Sequence, residues 1–418
     1  MKMGRKVAVV GFGSMDNSPE ARRKDDLKSW RTKIADAGYD ILASVDKGMD
    51  PKDIQYIVTN YHGEASVEGG SPAEIVDALG MAPTGHSLIT DQCTGSGTSF
   101  HDAYTLVASG LYDRVLQIGW DSRYDILNRA DKRCLQSNVD FDYHLGFDHY
   151  HVTDMANYFA YKYYGKRETL EALVTSIIQR YWYVNRNPRA GLYGVPCPIK
   201  KDEMMSLLDT NEEEFWRRLP RGLSTDGASG VILVPAEDAK KYTDTPVYVE
   251  GVAQKNTPNY PAWPMHYPVR KYSWPSVTNT PPDKFDFLCS PAVWLSTEEA
   301  MKRAKVEPKD IDLNESPFLI FTFLESIRVC PRFGAAKFII EGETAIDGRL
   351  PFSTYGGADG FGKASGADWS NGCVEAVIQL RGQAGKRQAP KHEVAIIQGV
   401  GGVGGMGAMS ATAVLRGG

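Results

Sequence analysis

The sequence predicts an α/β protein made of two similar halves, and three observations carry that expectation. Short β-branched runs alternate with stretches of helical spacing, the pattern of strands that cross over through helices to mostly parallel partners. The tetrapeptide Pro51-Lys-Asp-Ile54 recurs as Pro308-Lys-Asp-Ile311, each time after a charged helical stretch (29–47 and 296–305) and before a strand-like run, which points to an internal duplication. Near its end the chain runs from Gly399 to Gly405 in glycine and valine between two apolar strands, so backbone there comes close to another backbone or to a ligand. The expected halves are residues 1–235, with an inserted cap at about 124–221, and residues 236–418.

Composition leaves this architecture room. The chain has 418 residues, 42% hydrophobic and 24% charged, enough for two core-forming units. A net charge of -5 with mixed signs argues against bulk nucleic-acid or membrane-surface binding, while a local basic patch for a phosphorylated ligand stays open. The N-terminus leads into only a short apolar run, neither signal peptide nor membrane span, and the expected location is cytoplasmic. Six cysteines are scattered with no C-x-x-C, which fits reduced thiols and offers no zinc motif.

Taken in order, residues 6–11 read as a buried strand and Gly11-Phe-Gly-Ser14 as a turn. The third glycine of a dinucleotide-binding fingerprint is absent, so a structural turn is the better reading. Charged residues at helical spacing fill 23–48, residues 53–58 read as a strand, and 72–79 as a helix with Ser71 as N-cap and Pro72 at the first helical position. An apolar run then ends on Cys93, a helix follows over about 97–109, and 114–119 is a strand. From 124 to 221 the pattern breaks into the aromatic, polar and basic cap. The α/β pattern resumes with the glycine-marked strand at 223–234, repeats its helix and Pro-Lys-Asp-Ile turn, and closes with strands at 394–397 and 408–415.

The stretch Ile89-Thr-Asp-Gln-Cys93-Thr-Gly-Ser-Gly-Thr is the chemical centre of this plan. It sets a thiol at a strand-to-helix turn, where free N–H groups and the positive helix end favour thiolate. Nucleophile and buried core cysteine are equally good readings of that turn alone.

Several motifs in a shared order decide between them. Asp91-Gln-Cys93-Thr-Gly-Ser-Gly97 with Ala108-Ser-Gly110, Asn185-Arg-Asn-Pro188, Asp226-Gly-Ala228, the segment 350–357 continuing to Gly366-Ala367, Gln379-Leu-Arg-Gly382 and the glycine-rich terminus together resemble the thiolase superfamily, nearest to its sterol-carrier-type and archaeal members. The resemblance implies a five-layered α-β-α-β-α fold from two duplicated halves and a homodimer core. It also implies a CoA-dependent cleavage of a β-ketoacyl-CoA, with Cys93 as the acyl-carrying nucleophile and coenzyme A as co-substrate. An oxyanion hole is implied too, with backbone N–H groups at Gly401 and Gly402 as its candidates.

The sequence departs from the family pattern where proton transfer is expected. The family's G-H-P-x-G-A segment reads Gly362-Lys363-Ala364-Ser365-Gly366-Ala367, so its histidine is Lys363. The acid/base segment of the second half reads Asn314-Glu315-Ser316-Pro317-Phe318, and the last motif reads Gln398-Gly399-Val400-Gly401 without its cysteine. Lys363 is then a cation that stabilises the thiolate, Glu315, His149 or His151 are the proton-relay candidates, and Asn314 is a further catalytic-site candidate. A non-catalytic scaffold that binds acyl-CoA, or a Claisen-condensing synthase on the same fold, are the competing readings. Arg217, Arg218 and Arg221 form a basic cluster suited to CoA phosphates or to a solvated face. The cap's tyrosines and tryptophan suit either core or a pocket for a ring, and the combination is similar to thiolases that cleave benzoylsuccinyl-CoA to benzoyl-CoA and succinyl-CoA in anaerobic toluene degradation. Archaeal-type relatives imply a small zinc-ribbon/OB-fold partner subunit, with any metal held there and none in this chain.

Overall fold

Strands and helices alternate along the chain in a computed structural model that describes residues 4–25, 29–61, 72–91, 93–121, 158, 160–220, 222–257, 290–402 and 408–418. The strands are β1 (Val7–Ser14), β2 (Tyr56–Tyr61), β3 (Gly85–Thr90), β4 (Val115–Asp121), β5 (Gly227–Pro235), β6 (Val247–Asn256), β7 (Leu313–Asn314), β8 (Val394–Gln398) and β9 (Met409–Gly417). The helices are α1 (Pro19–Asp25), α2 (Trp30–Ala43), α3 (Pro72–Ala78), α4 (Gly95–Ala108), α5 (Lys166–Val184), α6 (Lys201–Thr210), α7 (Glu212–Arg218), α8 (Pro291–Ala304), α9 (Phe321–Ile327), α10 (Ala335–Ile340), α11 (Gly357–Phe361) and α12 (Asp368–Leu380). None of the described helices is long and apolar enough to cross a membrane.

The strands lie in the order β3-β2-β4-β5-β1-β6-β9-β8-β7, so β1 and β6 meet antiparallel at the centre and each half repeats the same order outward. The repetition reaches single residues. β1 opens Val7-Ala-Val9-Val-Gly11 and β6 opens Val247-Tyr-Val249-Glu-Gly251, and both strands shift register between the second valine and the glycine. A bulge with glycine there lets a helix lie against the backbone: a Cβ on Gly11 would stand 3.0 Å from Ile41 O of α2, and one on Gly251 would stand 2.2 Å from Ala300 O of α8. The repeated tetrapeptide folds alike too, as 3₁₀ turns at Pro51–Asp53 and Pro308–Asp310 that each close on an isoleucine.

Three expectations need correction. Gly11-Phe-Gly-Ser14 is not a turn; β1 continues through it, because the bulge absorbs the glycine. The strand expected at 53–58 begins only at Tyr56, after the 3₁₀ turn. The pairing is not mostly parallel. Only β2–β3, β2–β4 and β7–β8 are parallel among the described pairs, since β5 returns from the cap antiparallel and β1–β6 joins the halves head to tail.

Alternation along the strands sorts the core into layers. Val7, Val9, Val231, Leu233, Ile397 and Leu415 point inward onto α4 and α12, where Phe100 and Trp369 stack at 5.0 Å between centroids. Ala8, Val10, Ile232 and Val234 point the other way onto α2 and α3, and Ile396 and Val414 onto the layer of α8, α9 and α10. The result is the α-β-α-β-α sandwich that the sequence implied, with each large side chain buried there contributing roughly 1.5–3 kcal/mol. Helices α5 to α7 of the cap build a separate small core from Leu170, Ile177, Tyr181 and Phe215, closed by Tyr355 and Phe361 of the second half.

Candidate active site

The turn between β3 and α4 carries Cys93 at the centre of the sandwich. Asp91 accepts a 2.6 Å bond from Thr98 Oγ1 across the turn, which fixes the strand end to the first turn of the helix. Thr94 is buried and makes no side-chain cap, so the opening N–H groups of α4 lie beside Cys93 without one. The helix starts on small residues for a steric reason: a Cβ on Gly95 would lie 2.8 Å from Asn60 Nδ2, and one on Gly97 2.7 Å from Ala411 Cβ. Cys93 is half-buried, whereas Cys330 and Cys373 are buried and burial pushes both thiols up, Cys330 to about 12. Accessibility and helix position separate Cys93 from those core thiols.

The second half supplies the opposite wall. The loop 362–367 runs against β4 so closely that a Cβ on Gly366 would sit 2.1 Å from Trp120 O, and Asn60 Nδ2 donates to Gly366 O at 2.8 Å. Lys363 is held in this loop by its backbone bonds with Leu223 and Thr225, and its ammonium lies 5.1 Å from the Phe318 ring centroid. The glycine-rich segment completes the wall: a Cβ on Gly399 would meet Thr94 Oγ1 at 2.6 Å, and one on Gly401 would lie 3.3 Å from Thr94 N. Glycine is therefore required because backbone packs on the Cys93 turn.

Asp368, the first residue of α12, is the group that the sequence reading missed. It is fully buried, and its Oδ1 accepts the Ala364 N–H at 3.0 Å. Its Oδ2 is buried with no hydrogen bond among the described residues. Burial pushes this carboxyl up to about 7; the Lys363 ammonium opposes the rise, and Cys93 and Asp121 add to it. The available signal was an acid directly after Gly366-Ala367, at the start of a helical stretch.

Other expected site residues lie elsewhere or are already engaged. Glu315 is buried in a network of its own, accepting from Thr354 N at 2.8 Å and Thr354 Oγ1 at 2.6 Å beside Glu375, which pairs with Arg387 at 2.8 Å. Burial first, and the Glu375 charge second, push the Glu315 carboxyl well above the usual carboxylate range. Asn314 donates to Gln398 Oε1 at 2.8 Å and accepts from Ser316 N at 2.9 Å. Both of these side chains hold β7 to its surroundings. The Gly401 N–H, an expected oxyanion donor, is spent on Met409 O at 2.9 Å, and Gly402 follows it at φ 101°. Arg217 and Arg218 are exposed on α7 and pair with Glu214, Arg218 also with Glu203. His149, His151 and Arg221 lie outside the described residues. Of the cap aromatics, Tyr164, Tyr181 and Tyr183 are core, Tyr164 packing on Phe321 and Phe333, while Tyr158 is exposed. No cluster of three or more His, Cys, Asp or Glu suited to a metal occurs among the described residues.

Residues 280–416 match the family described as thiolase C-terminal domain-like. Over 381 residues, covering 89% of this chain and 91% of the relative, the sequence is 29% identical to an acetyl-CoA acetyltransferase of Methanothermobacter thermautotrophicus. It is 25% identical to a 17-hydroxy-3-oxo-4-pregnene-20-carboxyl-CoA lyase of Mycobacterium tuberculosis, covering 94% of this chain and 96% of that one. A solved Ltp2-ChsH2(DUF35) aldolase shares the fold with a TM-score of 0.73 at 18% identity, over 98% of this chain and 97% of the other.

Proposed function

We propose that this chain is a thiolase-superfamily acyltransferase that cleaves a β-ketoacyl-CoA with coenzyme A and carries the acyl group on Cys93. The observation that carries the reading is one half-exposed thiol just before α4, on a turn against which the glycine-rich loop packs, while the other described cysteines of the sandwich are buried. A thiolate there attacks the β-keto carbonyl, the C–C bond breaks, and the electron pair passes to the α-carbon of the departing thioester as an enolate. Coenzyme A then takes the acyl group from sulfur. Lys363 supplies positive charge beside the reacting groups, and Gly402 is the remaining expected backbone donor to the oxyanion.

The finer reading keeps benzoylsuccinyl-CoA as the substrate, cleaved to benzoyl-CoA and succinyl-CoA, with a homodimer core and a small partner subunit. The solved Ltp2-ChsH2(DUF35) aldolase joins two components in its name, and its shared fold supports a second subunit here by analogy. A second reading, C–C cleavage without an acyl-enzyme, is favoured by the relative named as a lyase.

Intact-mass spectrometry separates the two. Incubation with a panel of β-ketoacyl-CoA thioesters, benzoylsuccinyl-CoA included, should leave one acyl adduct that maps to Cys93 and is absent from Cys93→Ser. Cleavage of the thioester with no adduct at any time point would instead support the lyase reading.

A further inference from the structure

We propose that Asn60 is a positioning residue of the Cys93 site: its one amide sets the spacing between the first turn of α4 and the loop 362–367 that carries Lys363. The inference rests on the reading that Cys93 carries the acyl group.

The position follows from the sheet. Asn60 is the last but one residue of β2, level with Ile89 on β3 and with Gly119 on β4. β3 ends one residue after Ile89, and the chain then turns through Cys93 into α4. The Asn60 side chain is fully buried where the two halves meet, and both ends of its amide are used. Nδ2 donates to Gly366 O at 2.8 Å, across 306 residues of sequence. Oδ1 accepts from Ser99 Oγ at 3.1 Å, one turn into α4, and Ser99 is itself fixed by a 2.9 Å bond from Gln117 Nε2. These partners leave the amide one orientation, nitrogen toward the loop and oxygen toward the helix.

Glycine makes room for this amide on two sides. A Cβ on Gly95, the first residue of α4, would stand 2.8 Å from Asn60 Nδ2, and one on Gly119 would stand 2.7 Å from Oδ1. An apolar side chain could fill the same space, but it would not pair the Gly366 carbonyl, which is buried and receives no other hydrogen bond among the described residues. Backbone bonds of Lys363 with Leu223 and Thr225 hold the start of the loop, and Ser229 Oγ holds Ala367 at its end with a 3.0 Å bond. Among the described residues, Asn60 is what ties the loop to the helix start that follows Cys93. The opening N–H groups of α4 favour thiolate only while that helix start is held in place.

The test reads the thiol first and turnover second. Alkylation of Cys93 by iodoacetamide is followed by peptide mass from mildly acidic to mildly alkaline pH in wild type, Asn60→Ala and Ser99→Ala, each with a thermal melt. Asn60→Ala removes both bonds and leaves the Gly366 carbonyl unpaired, so the alkylation midpoint moves to higher pH. Ser99→Ala removes only the helix-side bond, and its midpoint moves the same way by less. On any β-ketoacyl-CoA thioester that the wild type turns over, Asn60→Ala lowers kcat by about 10²-fold with KM little changed, because binding is kept and the reacting atoms are misplaced. A lower melting temperature with an alkylation profile that superimposes on wild type marks a merely structural asparagine and overturns the proposal, as does an unchanged kcat. Asn60→Ser takes the place of an Ala variant that fails to fold. Absence of an acyl adduct in wild type sinks the acyl-transfer reading instead, and the alkylation profiles still decide whether Asn60 sets the state of Cys93.

Discussion

Helices α4 and α12 occupy equivalent places in the two halves, yet they begin differently. Each precedes the strand that its half places second or third from the outer edge, each packs in the central layer, and each ends on a left-handed glycine, Gly110 at φ 85° and Gly382 at φ 68°. Their starts face one task from opposite sides. α4 opens on Cys93-Thr-Gly-Ser-Gly, uncharged and small; α12 opens on Ala367-Asp368-Trp369 behind the Lys363 loop, bulky and charged. The duplication thus provides two helix N-termini, with the small residues after Cys93 on one and the charge of Lys363 and Asp368 on the other.

Substitutions can break that division of labour in graded steps. Cys93→Ser should remove acyl transfer by about 10³-fold or more without lowering the melting temperature, read as product formation by chromatography. Asp368 gives the next largest effect, and on stability its sign is opposite. Its carboxyl moves from the ordinary 3.8 to about 7 in the fold, so the folded state holds the proton more tightly than the unfolded one. The stabilisation is complete below about pH 4 and is lost as pH rises toward 7, a difference of about 4 kcal/mol. Asp368→Asn should therefore lose part of the fall in denaturant midpoint that the wild type shows across that window, the raised Glu315 carboxyl keeping its own share.

Gly366→Ala tests the seam between the halves. Its Cβ would meet the Trp120 carbonyl at 2.1 Å, and relief of that overlap should cost about 3 kcal/mol in urea unfolding and reduce turnover by displacing Lys363 and Asp368. Glu315→Gln tests a buried acid that already accepts two bonds from Thr354. The Glu315 carboxyl is raised in the fold, so it contributes to a decline in wild-type stability above about pH 4.5 and the glutamine variant removes that share, while acyl transfer is retained. Arg217→Ala combined with Arg218→Ala should have the smallest effect, leaving KM for coenzyme A near wild type, because both charges are already matched on the surface by Glu214 and Glu203. A marked rise in that KM would restore their expected part in phosphate binding.

Much of this arrangement is legible in the sequence. The Pro-Lys-Asp-Ile repeat gives away the duplication because a 3₁₀ turn between helix and strand needs particular residues in a particular order. The Val-x-Val-x-Gly repeat of β1 and β6 is equally plain in the chain, yet Gly-Phe-Gly looks like a turn until a helix is known to lie against it. Glu315 and Asn314 are candidates by motif position, and a motif does not say which way a side chain turns once β7 is paired with β8. Asp368 escapes for the opposite reason: an acid in a first helical turn is ordinarily a solvated capping charge, and nothing local distinguishes the buried case.

By itself, the sequence determined the alternation of strands and helices, the two halves, the small residues around Cys93 and the glycine in the final loop, because these follow from local sterics and hydrophobic period. Tertiary structure alone decided which carboxyl is buried at the head of α12. Packing α12 across the β4 seam buries Asp368 behind the 362–367 loop, and it is this desolvation that changes an ordinary aspartate into one held near neutrality.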